Sequence, residues 1–145
     1  MLYVDTSVIV KLYIREEHSK EVSARLRKNN EAIPLTGLHE LEFKNAMRLK
    51  QFRSEITVDD ADRIISRFNE HERKGIYYRP QLHWPDVFTY AIDLSRNNTG
   101  RTGSRSLDIL HVASALAMNC DRFLTVDDRQ AKLVVLTGLR IETYV

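Results

Sequence analysis

Four carboxylates in this chain sit where carboxylates are costly. Asp5 interrupts the opening run MLYVDTSVIV, and Asp127 follows the apolar stretch FLTV. Glu42 lies in TGLHELEFKNAMRLK and Asp108 in SLDILHVASALAM. A charged carboxylate in such surroundings is destabilising unless a hydrogen bond, a counter-charge or a metal ion compensates it. Asp5 and Asp127 each close a strand-like run just before a helical pattern. Helix capping is one role open to them, and serving a ligand beyond the strand end is the other.

Helical phase separates Glu42 from Glu40. At about 100° per residue, with Leu41 at zero, Leu38, Leu49, Ala46 and Phe43 span roughly 60° to 200°, and Glu42 falls near about 100°. Glu40, Lys44 and Arg48 fall at roughly 260° to 340°, on the polar side. Glu40 is therefore expected in solvent and Glu42 pointing inward. Asp108 shares a side with Val112 and Ala115 in a helix that is apolar nearly all round. Ser106 offers that helix a cap, which leaves Asp108 free for other work.

Four inward carboxylates repel one another and raise one another's pKa values. No lysine or arginine falls within these inward-facing patterns to neutralise them. A divalent cation would. With one cysteine, Cys120, and no His-x-x-x-His pair, the donor set is oxygen-only, which suits Mg²⁺ or Mn²⁺ better than zinc. Carboxylates around such an ion equip a site for phosphodiester hydrolysis.

The elements that must position these groups read as an alternation. Leu2-Tyr3-Val4 is a short strand, and Thr6 and Ser7 are expected to cap a helix carrying Val8, Val10 and Leu12. Helical patterns follow over 18–29, 38–50, from Thr57, between Pro85 and about Ser95, from Ser106 and from Asp127. Strand-like runs lie at 32–35, in RFLTV and near 140–143, and the polar NNTGRTGSRS reads as a mobile loop. Strands alternating with helices imply an α/β fold with a largely parallel sheet and helices on both faces.

At 145 residues the chain fits one domain, residues 1–145. Its 43% hydrophobic and 29% charged residues and its net charge of +2 are those of an ordinary globular protein, so charge alone argues for no particular partner. A lone cysteine excludes an internal disulfide, and Cys120 reads as a small core residue. No apolar stretch approaches the length of a membrane span, and no signal-peptide pattern opens the chain. The expectation is a cytoplasmic protein without a membrane partner.

The blocks YVDTSVIVKLY, ELEFKNAMRLK and SLDILHVASALAMNCDRFLTVDDRQAKLVVLTGL, in that order and spacing, resemble the PIN-domain family, and more closely its VapC-type toxin ribonucleases. The resemblance extends from residue 3 to about residue 141, although residues 52–100 match only as generic helices. It implies a three-layer α/β/α sandwich with Mg²⁺- or Mn²⁺-dependent endoribonuclease activity. The family's acidic positions fall on Asp5, Glu42, Asp108 and Asp127, and its supporting hydroxyls on Ser7 and Thr125. The resemblance further implies a homodimer and a small VapB-like antitoxin lying across the site.

In the mechanism this suggests, Asp5 and Asp108 hold the principal ion, with Glu42 and Asp127 completing the cluster. RNA needs positive charge nearby, and Arg101 and Arg105, flanking Asp108 in the polar loop, are the first candidates, with Lys11 and Arg15 next. His111 reads as a hydrogen-bonded core residue, and Tyr3, Tyr13 and Phe43 as core rather than base-stacking platforms. A haloacid-dehalogenase-like phosphatase would need a second aspartate where Ser7 stands, and a receiver domain an early acidic pair and a late lysine. A free-standing RNA-processing nuclease, or a binding module that keeps the cluster structurally, remains the alternative.

Overall fold

The computed structural model describes residues 1–145. Its layers originate in β1 (Leu2–Val4). Successive strand side chains point to opposite faces, so Leu2 and Val4 enter one core and Tyr3 the other. β4 (Arg122–Leu124) pairs with β1 in parallel, setting Tyr3 opposite Phe123 and Val4 opposite Leu124, and it divides its side chains in the same way. β5 (Arg140–Ile141) joins β4 to give the order β1-β4-β5. Beside β1, β2 (Ile33–Pro34) and β3 (Tyr77–Tyr78) form a second parallel pair.

On the Leu2 face the core is filled from α1 (Thr6–Tyr13), α2 (Ser19–Arg27), α3 (Gly37–Phe52) and α4 (Val58–Arg73). Phe43 and Phe68 stack there with ring centroids 4.2 Å apart. On the Tyr3 face stand α5 (Trp84–Thr102), α6 (Ser106–Ala117) and α7 (Asp128–Val135), which contribute Val87, Ile109, Val112 and Leu133. This is the three-layer α/β/α arrangement. Cys120 is buried in the second core, and burial pushes its thiol up to about 11, so it is no thiolate at neutral pH. No helix is long and apolar enough to cross a membrane.

Several local expectations are corrected. NNTGRTGSRS is not a mobile loop: α5 continues to Thr102, and only Gly103–Arg105 separates it from α6. Composition misleads here because packing on α6 overrides propensity. Asn98 is buried, its amide donating to the Leu94 carbonyl at 3.0 Å. The helix ends where Gly103 adopts φ +64° and donates its N–H to Thr99, a left-handed terminus that glycine tolerates. The strand β3 was not apparent at two residues. Asp5, not Thr6 or Ser7, caps α1, and Arg105, not Ser106, holds the cap position of α6. Leu41 is 65% exposed and Leu49 41%, so the buried arc of α3 is centred instead on His39, Phe43, Ala46 and Met47.

Amides of residues 97–102 should exchange with solvent at helix-like, protected rates measured by hydrogen–deuterium exchange; rates near those of an unstructured peptide would contradict the extended α5.

Candidate active site

Asp5 reaches the sheet rim because its own N–H continues the β1–β4 ladder, donating to the Leu124 carbonyl at 3.2 Å. Its Oδ1 caps α1 by accepting from the Val8 N–H at 3.3 Å and also accepts the Ser7 hydroxyl at 2.5 Å. Burial pushes the Asp5 carboxyl above its ordinary range, while His111 and the hydroxyls of Ser7 and Thr125 pull it back only in part. One strand away, Asp127 caps α7, its Oδ1 accepting from the N–H groups of Arg129 at 2.8 Å and Gln130 at 3.1 Å. Thr125 accepts the Asp127 N–H at 3.0 Å, and Ser7 faces the Val126 N–H at 3.5 Å. The two expected supporting hydroxyls thus tie both strand ends together. Capping is real at both aspartates, and it occupies Oδ1.

Glu42 arrives from α3, whose start is pinned to β1 by His39. That imidazole is fully buried, donating from Nε2 to the Val4 carbonyl at 2.8 Å and accepting the Thr36 N–H on Nδ1 at 3.0 Å. Only the neutral ring can fill both roles, and burial holds its pKa well below the ordinary value. Glu42 Oε1 accepts from the Thr6 hydroxyl at 2.8 Å and from His111 Nε2, whose Nδ1 meets the Tyr3 hydroxyl at 2.7 Å. Burial pushes the Glu42 carboxyl up, but His111, Thr6 and the charge of Arg105 outweigh it and leave it below the usual glutamate range. His111 is therefore a hydrogen-bonded core histidine and also a direct neighbour of the site. Its position three residues after Asp108, on the same side of α6, was the available signal.

Asp108 and Asp127 share a cation that the sequence did not reveal. Arg105 Nε lies 2.9 Å from Asp108 Oδ2 and its guanidinium 3.5 Å from Asp127 Oδ2. Arg105, expected to grip substrate, thus also supplies a counter-charge to two of the four carboxylates. Arg105 is not in a long polar loop but at the cap position immediately before α6, in extended backbone. With 66% of its side chain exposed, its ion pairs are of the kind worth about 0–1 kcal/mol each, weak enough to exchange for another cation.

As the side chains stand, no group of three or more His, Cys, Asp and Glu converges closely enough to hold a metal ion. The donor set nonetheless suits a hard divalent ion. The protein's hydrogen bonds fall on Oε1 of Glu42 and Oδ2 of Asp108, leaving Oε2 and Oδ1 to a ligand. Asp127 Oδ2 meets only the exchangeable Arg105.

A family model, the PIN domain, matches residues 2–136. The chain belongs to the PIN-domain family. Among solved structures, this PIN domain is similar to FitAcB from Neisseria gonorrhoeae, with a TM-score of 0.72 and 15% identity over 99% of this chain and 98% of that one. VapC20 from Mycobacterium tuberculosis, described as a sarcin-ricin loop cleaving toxin, gives 0.69 and 11% over 91% and 94%. A toxin–antitoxin complex from Klebsiella pneumoniae gives 0.67 and 11% over 100% and 98%. At these identities the likeness is one of fold. Among curated proteins none matches the sequence.

The expected RNA-binding residues of this PIN domain are dispersed. Arg101 belongs to the last turns of α5 and reaches Asn98 Oδ1 at 3.2 Å. Lys11 is mostly buried and paired with Glu16 at 3.3 Å, and Arg15 is exposed without an ion pair. A cleft of about 400 Å³ opens beside Asp127 and is lined also by Arg105, Arg129 and Lys132. The last two were missed because α7 shows its polar face only once its apolar face is placed.

Unfolding releases His39 to protonate at its ordinary pKa while the folded ring resists protonation. The unfolded chain then binds more protons below about pH 6.5, and stability falls as the pH drops through that value, by up to about 1.4 kcal/mol per pH unit. Denaturant titrations between pH 8 and pH 5 should show this slope and show it flattened in His39→Gln; an unchanged slope in the variant would contradict the assignment.

Proposed function

We propose that this PIN domain is a divalent-metal-dependent endoribonuclease, the toxin of a two-protein toxin–antitoxin pair. The observation that carries the reading is the weakly held Arg105 bridging Asp108 and Asp127, with Asp5 just beyond the end of β1 and Glu42 bonded to Thr6 at the start of α1. Asp5 and Asp108 would hold the principal Mg²⁺ or Mn²⁺, with Glu42 and Asp127 completing the cluster directly or through waters. Such an ion polarises a scissile phosphate and lowers the pKa of an attacking water.

The chain's own groups keep the donors in place. Ser7 and the Val8 N–H fix Asp5 through one oxygen, Thr6 and His111 fix Glu42 through one oxygen, and the α7 amides fix Asp127 through one oxygen. With an ion held by the carboxylates, Arg105 would be free of Asp108 and Asp127 and would stand beside the rim, placed to meet substrate phosphate. No histidine or cysteine nucleophile is needed. The Mycobacterium tuberculosis neighbour, a sarcin-ricin loop cleaving toxin, supports RNA as substrate. The Klebsiella pneumoniae toxin–antitoxin complex supports an antitoxin as partner, which this reading takes to be small and VapB-like. A homodimer and a cytoplasmic site of action accompany this reading.

A second reading, a non-catalytic RNA- or protein-binding module, is favoured by the Arg105 ion pairs that already engage Asp108 and Asp127. Incubation with mixed RNA, with and without Mn²⁺ or Mg²⁺, separates the two. Wild type should cleave only with metal, and a folded Asp108→Asn variant should lose about 10³-fold or more in rate, as expected when several kcal/mol of transition-state stabilisation disappear. Equal cleavage by the variant would refute the site, and metal binding without any cleavage would favour the binding module.

A further inference from the structure

The cleft beside Asp127 has a chemistry that the carboxylate site does not use. Its lining contains no hydrophobic residue: Thr102, Arg105, Asp127, Asp128, Arg129 and Lys132. Arg129 and Lys132 lie three residues apart on α7, hence on one face. Both are exposed, and neither takes part in an ion pair, whereas Arg105 is engaged with Asp108 and Asp127. Two standing cations therefore project into a space about 400 Å³ in volume whose wall includes a carboxylate of the site.

We infer that this cleft is a backbone-phosphate subsite, in which Arg129 and Lys132 hold a phosphate of the RNA strand next to the one that is cut. The inference rests on the ribonuclease reading above and deepens it by assigning residues that grip the substrate. An aromatic or apolar wall would suggest stacking on a base; a wall without one suits a phosphate and its sugar. Phosphate contacts position the strand and raise affinity without reading sequence. The subsite therefore contributes grip, and any sequence preference must arise elsewhere. Asp127 and Asp128 oppose an anion, but Asp127 is already met by Arg105, which leaves the two unpaired cations Arg129 and Lys132 against Asp128.

Fluorescence anisotropy of a single-stranded RNA oligonucleotide, titrated with KCl in EDTA and again with Ca²⁺ in place of the activating metal, tests this. For single strands each phosphate contact contributes about 0.7 to the log–log salt slope. The Arg129→Gln/Lys132→Gln variant, which loses that one phosphate, should show a slope shallower by about 0.7 and bind about 5-fold more weakly at about 0.1 M salt, equally for two unrelated sequences. The charge-keeping Arg129→Lys/Lys132→Arg variant should retain the wild-type slope. Arg53→Gln/Arg73→Gln, which removes the same charge from the ends of α3 and α4, should lose far less. Affinity and slope unchanged in the first variant, or reduced only as much as in the Arg53/Arg73 control, would overturn the subsite. Wild type that binds and cleaves RNA while the first variant behaves identically overturns the subsite alone; wild type that binds no RNA overturns both it and the ribonuclease reading.

Discussion

Negative charge collected at the end of a parallel sheet must be neutralised, and much of this molecule is arranged around that constraint. The β1–β4 ladder fixes the separation of two strand ends, and Asp5 and Asp127 stand just beyond them. Neither can leave without breaking a helix cap. Glu42 and Asp108 come from helices on opposite faces, so the rim is where the two halves of the domain meet. Like charges there would repel, and the folded chain answers with a hydrogen bond from His111 to Glu42 and with the Arg105 cation for Asp108 and Asp127. These compensations differ in strength. His111 is buried and locked by Tyr3, whereas Arg105 is largely exposed and held by interactions that water screens.

That asymmetry gives the site a fixed side and an exchangeable side. On the fixed side, Tyr3, His111, Thr6 and Glu42 form a chain of hydrogen bonds from the second core to the rim, and His39 ties the start of α3 to the Val4 carbonyl. Leaving such buried polar atoms unpaired costs about 1–3 kcal/mol each, so their geometry is stiff. On the other side a single guanidinium bridges two carboxylates at the mouth of a polar cleft. Helix capping and ligand binding are not competing roles here, because each cap uses one carboxylate oxygen and leaves the other.

The parts of this arrangement that are periodic in sequence were legible in it. Strand–Asp–helix junctions placed Asp5 and Asp127 at strand ends, and helical phase turned Glu42 inward even though Leu41, taken as the reference, proved exposed. The α/β class followed from the alternation of elements. What was illegible depended on contacts between distant segments. Arg105 looked, with Arg101, only like a loop arginine for substrate phosphate because nothing local reveals that its guanidinium reaches Asp127. The polar, glycine-containing end of α5 looked like a loop because helix formation there rests on packing against α6 and on the buried amide of Asn98. β3, two residues long, exists only through its pairing with β2.

The central claim is that a divalent ion takes the place Arg105 holds among the carboxylates. Anomalous diffraction from crystals of the protein soaked in Mn²⁺ tests it most directly. The account predicts a manganese peak bounded by Asp5 and Asp108, with Glu42 and Asp127 in its immediate surroundings and the Arg105 guanidinium withdrawn from Asp108. A map with no peak at the rim and Arg105 still bridging Asp108 and Asp127, at metal concentrations that support RNA cleavage in solution, would contradict it.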